Sequence, residues 1–287
     1  MVLAMLGFAV EDMLIKQMAG ALPVGQILAT LGLGGVLLFA PLARLRTGPG
    51  LFDSLTQPRV MLRNAFEAVG TIGFVTAIAL TPISTASAIL QAAPLVVTLG
   101  AALFLGEQVG WRRWSAIAIG LIGVLLILRP GLDGFDPLSL FAVLGMVALS
   151  GRDVVTRTLP PRIHSMKLAV YAFLTLIPTG LILVWVQGGQ MVRPDDTDAL
   201  RLALAVVLGI AAYYCIVLAT RVGDLSAVAP FRYSRLVFAL VIGVVVFGER
   251  PDALTLLGSA IIVASGLYTL WRETRARPAS LAEPPLV

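Results

Sequence analysis

Ten apolar runs follow one another along the chain, and short breaks that carry proline, glycine or charged residues separate them. Each run is long enough to cross a bilayer as a helix, because a span needs about 20 mostly apolar residues. Most breaks are short, so we expect consecutive helices to be antiparallel. The pattern predicts an all-α integral membrane protein with ten transmembrane helices. The predicted helices cover residues 2–20, 24–44, 59–80, 84–105, 112–129, 137–157, 167–187, 199–220, 226–247 and 252–272.

One stretch of this pattern, Ser84 to Glu107, returns 142 residues later as Ser226 to Glu249. Each copy begins with serine, closes with Gly-Glu and is followed by another apolar run. The chain therefore divides into two five-helix repeats, residues 1–131 and 132–272, and a polar, proline-rich tail, 273–287, which we expect to be disordered and cytoplasmic. An odd number of spans turns the second copy upside down. Such inverted repeats are typical of secondary transporters, which bind substrate where the halves meet.

Composition and charge agree with a membrane protein. Of the 287 residues, 58% are hydrophobic and 13% are charged, whereas a soluble domain has about 25% charged residues. The net charge of +5 does not indicate nucleic acid as a partner, because the basic residues lie between the apolar runs. The loops on one predicted side hold twelve Lys and Arg residues and those on the other side hold four, which places both termini in the cytoplasm.

The sequence shows no pattern that favours catalysis, metal binding or ATP hydrolysis. One His and one Cys cannot build a metal site. No phosphate-binding loop and no nucleophile with a nearby base is present. We therefore expect no cofactor, no metal, no ATPase partner and no enzymatic activity.

Matching charges occur in the first and sixth predicted helices. Asp12 and Lys16 lie four residues apart, as do Asp153 and Arg157, so each pair shares one helical face and is able to form an ion pair. Because the repeats are inverted, one pair falls near the outer end of its helix and the other near the inner end. We expect the two pairs to act as symmetric gates. The alternative is that Lys16 and Arg157 only extend their charges to water.

Further charges lie deeper in the predicted spans, where facing lipid would be costly. Glu67 in the third span reaches a depth similar to that of Arg232 and Arg235 in the ninth, so Glu67 is able to pair with either arginine. An amino acid needs an anion for its ammonium group and a cation for its carboxylate. The alternative is that buried Glu–Arg pairs, including Arg63 with Glu67, only hold helices together. The candidate anions are Glu67 and Asp12, and the candidate cations are Arg232, Arg235 and Arg152.

Several uncharged residues in the spans are also candidates. Gln91, Tyr213 and Tyr233 lie too centrally for an interfacial belt, and we expect them to line the cavity, although a tyrosine bonded to a buried carbonyl would give the same pattern. Pro94 and Pro230 lie in the fourth and ninth spans, which correspond by the repeat, so they are candidate hinges. Ordinary packing kinks are the alternative.

The ends of the fourth and ninth spans carry the clearest motif. Each ends in Leu-Gly-Glu or Phe-Gly-Glu, and we expect Glu107 and Glu249 to cap the helix that follows. With the ten spans, this motif resembles the EamA type of the drug/metabolite transporter superfamily. The family has a glycine nine residues after the motif glutamate, which is present as Gly258 but replaced by Ala116 in the first copy. The matching stretches are Pro94–Val124 and Phe247–Gly266.

The resemblance implies a bacterial inner-membrane protein, and the general likeness is greatest to the aromatic amino acid exporter branch. From residues and resemblance together we expect a secondary transporter or facilitator that exports amino acids by alternating access. Its partners are then a small molecule and the lipid bilayer, and dimerisation is left open. The alternatives are export of another metabolite or a drug, a channel, or a membrane enzyme.

Overall fold

The computed structural model describes residues 1–132, 134–160, 162–222 and 228–276, and all regular secondary structure in these ranges is helical. Ser226, the predicted start of the second motif copy, and residues 277–287 of the predicted tail lie outside them. The α-helices are α1 (Val2–Met18), α2 (Val24–Thr47), α3 (Pro58–Leu80), α4 (Ile83–Leu90), α5 (Ala93–Phe104), α6 (Trp111–Leu128), α7 (Leu140–Arg157), α8 (Ser165–Val186), α9 (Asp196–Val222), α10 (Ser234–Phe247) and α11 (Ala253–Ala276). Two 3₁₀ helices cover Pro137–Ser139 and Ala229–Tyr233.

Eight segments of the described chain are long and apolar enough to cross a membrane. The remaining two predicted spans form α1 and α3, which are rich in charge: α1 has 17 residues and carries Glu11, Asp12 and Lys16. The chain is therefore a multi-pass membrane protein, while ten spans stays a prediction. The eight segments are Val24–Thr47, Ile83–Phe104, Trp111–Leu128, Pro137–Arg157, Ser165–Val186, Asp196–Ile216, Ala229–Phe247 and Ala253–Arg272.

Proline and glycine set most helix boundaries, as the breaks in the apolar pattern predict. Pro58 begins α3 and Pro23 precedes α2, positions where the missing N–H of proline costs no helical hydrogen bond. Gly248, with a φ of 64°, ends α10 in a left-handed conformation that glycine adopts without strain. Apart from the start of the ninth span, which is predicted at residue 226 outside the described residues, the helical segments begin and end within four residues of the predicted bounds.

The helices pack mainly as pairs, α2 with α8, α3 with α7, α6 with α11 and α1 with α9. In lipid there is no hydrophobic driving force between helices, so their association depends on close packing. Small residues at the contacts allow the helices to approach closely. At the α6–α11 crossing, a Cβ on Gly123 would lie 2.8 Å from the carbonyl oxygen of Gly258, and a Cβ on Gly258 would lie 2.6 Å from that of Gly123. Each backbone therefore occupies the space that a side chain on the other would need.

The fourth and ninth predicted spans are not continuous α-helices. The fourth is interrupted at Gln91 and Ala92, between α4 and α5, directly before Pro94. The ninth starts with the 3₁₀ helix that contains Pro230 and continues as α10. The sequence predicts a bend at Pro94 itself, but the interruption falls on its amino-terminal side, because a proline lacks an N–H and its ring clashes with the preceding turn. A hinge role for the two prolines stays a prediction.

The two halves of the fourth span have different surroundings. α4 packs against α10 and contacts α3 and α7 as well, whereas α5 packs mainly on α7 and α6. We call the end where α4 begins and α10 ends the Glu249 end, and the opposite end, where α5 ends, the Glu107 end. Within the described residues, the fourth and ninth spans meet through α4 and α10, at the Glu249 end.

Candidate functional site

A chain of four alternating charges joins α3 to α7, and we call it the α3–α7 network. Arg63 Nη2 lies 2.8 Å from Glu67 Oε2, one turn away on the same helix. Arg152 Nη1 donates to both oxygens of Glu67 at 3.0 and 3.3 Å, and Arg152 Nη2 lies 2.8 Å from Asp153 Oδ1. With only 9% of its side chain exposed, Glu67 is desolvated, and two guanidinium groups compensate its charge.

Glu67 therefore does not pair with Arg232 or Arg235 in this structure, contrary to one sequence-based expectation. The physical reason is proximity: Arg63 lies on the same face of α3, and Arg152 projects from α7, the helix that packs most closely on α3. The alternative interpretation, a buried ion-pair network that holds two helices together, describes what Glu67 does here.

A second charged contact joins α1 to α10. Arg235 Nη2 donates to Asp12 Oδ2 at 2.6 Å, and Arg235 Nε donates to the same oxygen at 3.2 Å. The guanidinium carbon lies 5.2 Å from the ring centres of both Phe8 and Phe74, where cation–π attraction adds to the ion pair. We call this contact the Asp12–Arg235 pair.

The two charged contacts lie at different depths. Phe74, which touches Arg235, follows Glu67 by seven residues on α3, and seven residues correspond to roughly 10 Å along a helix. The Asp12–Arg235 pair is thus closer to the Glu249 end than the α3–α7 network is. A solute that moves through the bundle along α3 would pass both.

The uncharged candidates have different surroundings. Gln91, at the interruption of the fourth span, donates from Nε2 to the carbonyl oxygen of Arg232 at 3.2 Å, so it joins the two discontinuous spans. Tyr213 packs edge-on against Phe39 with ring centres 5.7 Å apart. The side chain of Arg232 is exposed.

Tyr233 differs most from the expectation that it lines a cavity. The residue is 6% exposed and its hydroxyl has no hydrogen-bond partner among the described residues. That hydroxyl lies against Gly266 of α11, where the absence of a side chain leaves room for it. The structure therefore places Tyr233 in the packing between the 3₁₀ helix and α11.

The two expected gate pairs are not formed within their own helices. Lys16 Nζ donates to the carbonyl oxygens of Ile78 and Thr81 at 3.1 and 2.5 Å and lies 4.0 Å from Glu249. The last carbonyl oxygens of α3 have no helical N–H partner, so they attract the ammonium group of Lys16. Asp12 is already paired with Arg235.

The same exchange of partners occurs in α7. Asp153 pairs with Arg152, and Arg157 Nη1 reaches Glu107 at 3.2 Å. Both side chains of the Arg157–Glu107 pair are exposed, by 42% and 41%. Their role as gates stays a prediction, now with partners that the spacing along one helix did not identify.

Glu249 caps α4 instead of the helix that follows it. Its carboxylate accepts hydrogen bonds from the backbone N–H groups of Ile83 and Ser84 at 2.7 and 3.1 Å and from Ser84 Oγ at 2.6 Å. The expected cap of α11 is provided by Asp252, which accepts from Thr255 N at 2.8 Å. Glu249 follows α10 by two residues, so the end of α10 satisfies the first N–H groups of α4.

Comparison with known proteins identifies the family. The sequence pattern of the EamA-like transporter family matches residues 1–129 and again 137–271. The chain belongs to this family. Family members are transporters, and so are the similar proteins described next, which agrees with the expectation that the chain is not an enzyme.

Three relatives of this EamA-family chain have different named solutes. A riboflavin transporter of Rhizobium johnstonii is 32% identical and covers 76% of this chain and 71% of its own length. An S-adenosylmethionine uptake transporter of Rickettsia conorii is 26% identical, with coverage of 75% and 72%. The pseudopaline exporter CntI of Pseudomonas aeruginosa is 28% identical and covers 92% of both chains. These names do not single out an aromatic amino acid exporter.

A solved structure described as "Crystal structure of protein" matches the EamA-family chain over 96% of its length and 99% of the other. The TM-score is 0.62 and the sequence identity is 21%. At this identity the likeness extends to the fold alone.

Proposed function

We propose that this EamA-family protein is an inner-membrane secondary transporter that exports amino acids, aromatic ones among them, by alternating access between two inverted five-helix halves. The observation that supports the proposal is the contrast between the two ends of the bundle. At the Glu249 end a glutamate with 10% of its side chain exposed joins the halves, while its counterpart at the Glu107 end is 41% exposed. A transporter that opens one end at a time needs two locks of this kind.

Corresponding contacts support the inverted repeat. Lys16 approaches Glu249, and the residues at the matching positions of the other half, Arg157 and Glu107, also approach each other. The two stretches that match the family pattern, residues 1–129 and 137–271, agree with the proposed division of the chain. In this proposal both termini are cytoplasmic, so the Glu249 end faces the periplasm and the structure represents a state closed to the outside.

The substrate proposal rests on opposite charges near the centre of the bundle. The Asp12–Arg235 pair and the α3–α7 network present both signs, which suits a zwitterion more than a neutral solute. The solutes named for the relatives differ in this property: S-adenosylmethionine contains an amino acid group, and riboflavin does not. A larger metabolite is therefore the second candidate substrate.

The test is efflux from proteoliposomes that are preloaded with single solutes, with and without a pH gradient. Phenylalanine, tryptophan and tyrosine represent the first candidate, and S-adenosylmethionine and riboflavin represent the second. Release of an amino acid faster than from protein-free liposomes supports the proposal, and an effect of the gradient indicates proton coupling. Release of riboflavin alone contradicts the amino acid proposal and leaves the transporter class unchanged.

A further inference from the structure

Glu11 is a carboxylate without a partner in the described structure. It follows Val10 in α1 and precedes Asp12, yet no hydrogen bond or ion pair joins it to a described residue, whereas Asp12, Glu67 and Glu249 each have one. A carboxylate among membrane helices is costly unless a cation or hydrogen bonds compensate it. The arrangement therefore leaves a carboxyl group available to a ligand.

The position of Glu11 is set by a glycine on the neighbouring helix. Gly209 lies at the middle of α9, and a Cβ there would be 2.6 Å from Glu11 Oε1. The missing side chain of Gly209 thus leaves the space that the carboxylate occupies. Because Glu11 is also near the middle of α1, the carboxylate lies midway along two adjacent helices of the bundle.

The arginine near this part of α1 is bound to another residue. Arg235 directs its Nε and Nη2 to Asp12, the residue next to Glu11, and its guanidinium lies against the rings of Phe8 and Phe74. Among the described residues, Glu11 therefore has no cationic partner of its own.

The proposed repeat indicates which kind of group is missing. The offset of 141 residues that relates Asp12 to Asp153 relates Glu11 to Arg152, and the offset of 142 that relates Ser84 to Ser226 relates Glu67 to Gly209. Arg152 and Glu67 form the central ion pair of the α3–α7 network. In that half the protein supplies both charges. In the α1–α9 contact it supplies only the carboxylate, since glycine replaces the second charged residue.

We propose that Glu11 binds the protonated amine of the transported molecule at the middle of the bundle. The inference rests on the proposed transport function and deepens it, because it names the substrate class as amines, amino acids included. It also replaces Glu67 and Asp12 as the residue that receives the ammonium group, since arginines occupy both. Glu11 lies between the two ends, so a ligand there is accessible from whichever end is open.

The first experiment measures ligand-induced thermal stabilisation of the full-length protein in lipid nanodiscs. Three probes share one ring and differ in charge: 2-phenylethylamine is a cation, phenylalanine is a zwitterion and 3-phenylpropionate is an anion. We expect the amine and the amino acid to stabilise the protein and the anion not to. Glu11→Gln should weaken the apparent affinity for the amine by about tenfold or more, since a charge-assisted contact is lost.

Two further variants separate binding from folding. Gly209→Ala places a methyl group where the carboxylate lies, so it should displace Glu11 and weaken amine binding while the helix itself is retained. Gly20→Ala is its matched control, because nothing lies within 4 Å of the added atom. Asp196→Asn is the control for charge removal, because this residue is exposed at the start of α9. Both controls should bind the amine as the unaltered protein does.

The outcomes distinguish this inference from the proposed function. Amine binding that Glu11→Gln and Gly209→Ala both weaken supports the Glu11 site, whether or not amino acids are transported. Amine binding that survives both changes overturns the site, and so does the absence of amine binding to the unaltered protein. Amino acid efflux that persists in Glu11→Gln at an unchanged apparent affinity also overturns the site but leaves the proposed transport function in place.

Discussion

The two ends of the molecule place the same motif in different surroundings. At the Glu249 end, the glutamate is 10% exposed, caps the first turn of α4 and lies beside Lys16. At the Glu107 end, the corresponding glutamate is 41% exposed and pairs with Arg157. The same Gly-Glu motif is therefore largely buried at one end and exposed at the other, so its local sequence does not decide its surroundings.

The contrast in burial predicts unequal consequences when the glutamates are changed. The predictions below use one reporter of the Glu249 end, a cysteine introduced at Ala88, which is fully buried in α4. The native Cys215 is first replaced by serine. The alkylation rate of the new cysteine by an impermeant maleimide then measures how often this end opens.

The largest effect is expected for Glu249→Gln. The change removes the charge that accepts three hydrogen bonds at the start of α4 and attracts Lys16. We expect the closed end to lose about 2 kcal/mol, which raises the alkylation rate roughly thirtyfold. An unchanged rate in a folded variant would mean that Glu249 does not hold this end closed.

Lys16→Gln should have a smaller effect on the same reporter. Lys16 donates to two carbonyl oxygens at the end of α3, but it lies 4.0 Å from Glu249, so its ion pair is weak. We expect the closed end to lose about 1 kcal/mol of stability, which raises the alkylation rate roughly fivefold. Lys167→Gln is the matched control, since Lys167 also donates to a backbone oxygen, that of Gly50, away from this end. Equal rates for both variants would exclude a specific role of Lys16.

Ser84→Ala tests a single hydrogen bond of the cap. It removes the bond from Ser84 Oγ to Glu249 and keeps both backbone N–H donors. An effect of about 0.5 to 1 kcal/mol is expected, with a two- to fivefold higher alkylation rate. The neighbouring Ser87→Ala should leave the rate unchanged, because the Ser87 hydroxyl makes no hydrogen bond within the part of the chain that the structure describes. A larger increase in the alkylation rate for Ser87→Ala than for Ser84→Ala would contradict a role of the cap in holding this end closed.

The smallest effect is expected for Glu107→Gln. An exposed ion pair contributes about 0 to 1 kcal/mol, and the Glu107–Arg157 pair lies at the opposite end from the reporter. The alkylation rate at position 88 should stay within twofold of the unaltered protein. A rate as high as that of Glu249→Gln would show that the two ends are not distinct in the way the exposures indicate.

The helices could be predicted from the sequence more completely than the contacts between them. Bounds such as Val24–Thr47 and Trp111–Leu128 follow from apolar length and from the prolines and glycines between runs. The interruption falls at Gln91, three residues before Pro94, where the sequence predicts a bend, because the sequence shows the proline but not the turn that its ring disrupts.

The partners of the charged residues could not be predicted, because pairing depends on which helices are neighbours. Spacing along one helix pairs Asp12 with Lys16, whereas the structure brings Arg235 from α10 to Asp12. Glu11 received no role from the sequence, since nothing in it shows that residue 209 is opposite. The repeat gave one usable signal, because Ser84 and Glu249 are both anchors of the motif and meet at the cap.

The central claim is that the two ends open in alternation, and distances between spin labels test it most directly. One label pair at Leu80 and Leu254 reports the Glu249 end, and another at Phe104 and Phe231 reports the Glu107 end, since all four side chains are exposed. In Glu249→Gln, we expect the first distance to lengthen and the second to shorten relative to the unaltered protein. A first distance that lengthens while the second stays the same or lengthens too would contradict alternating access and favour a channel.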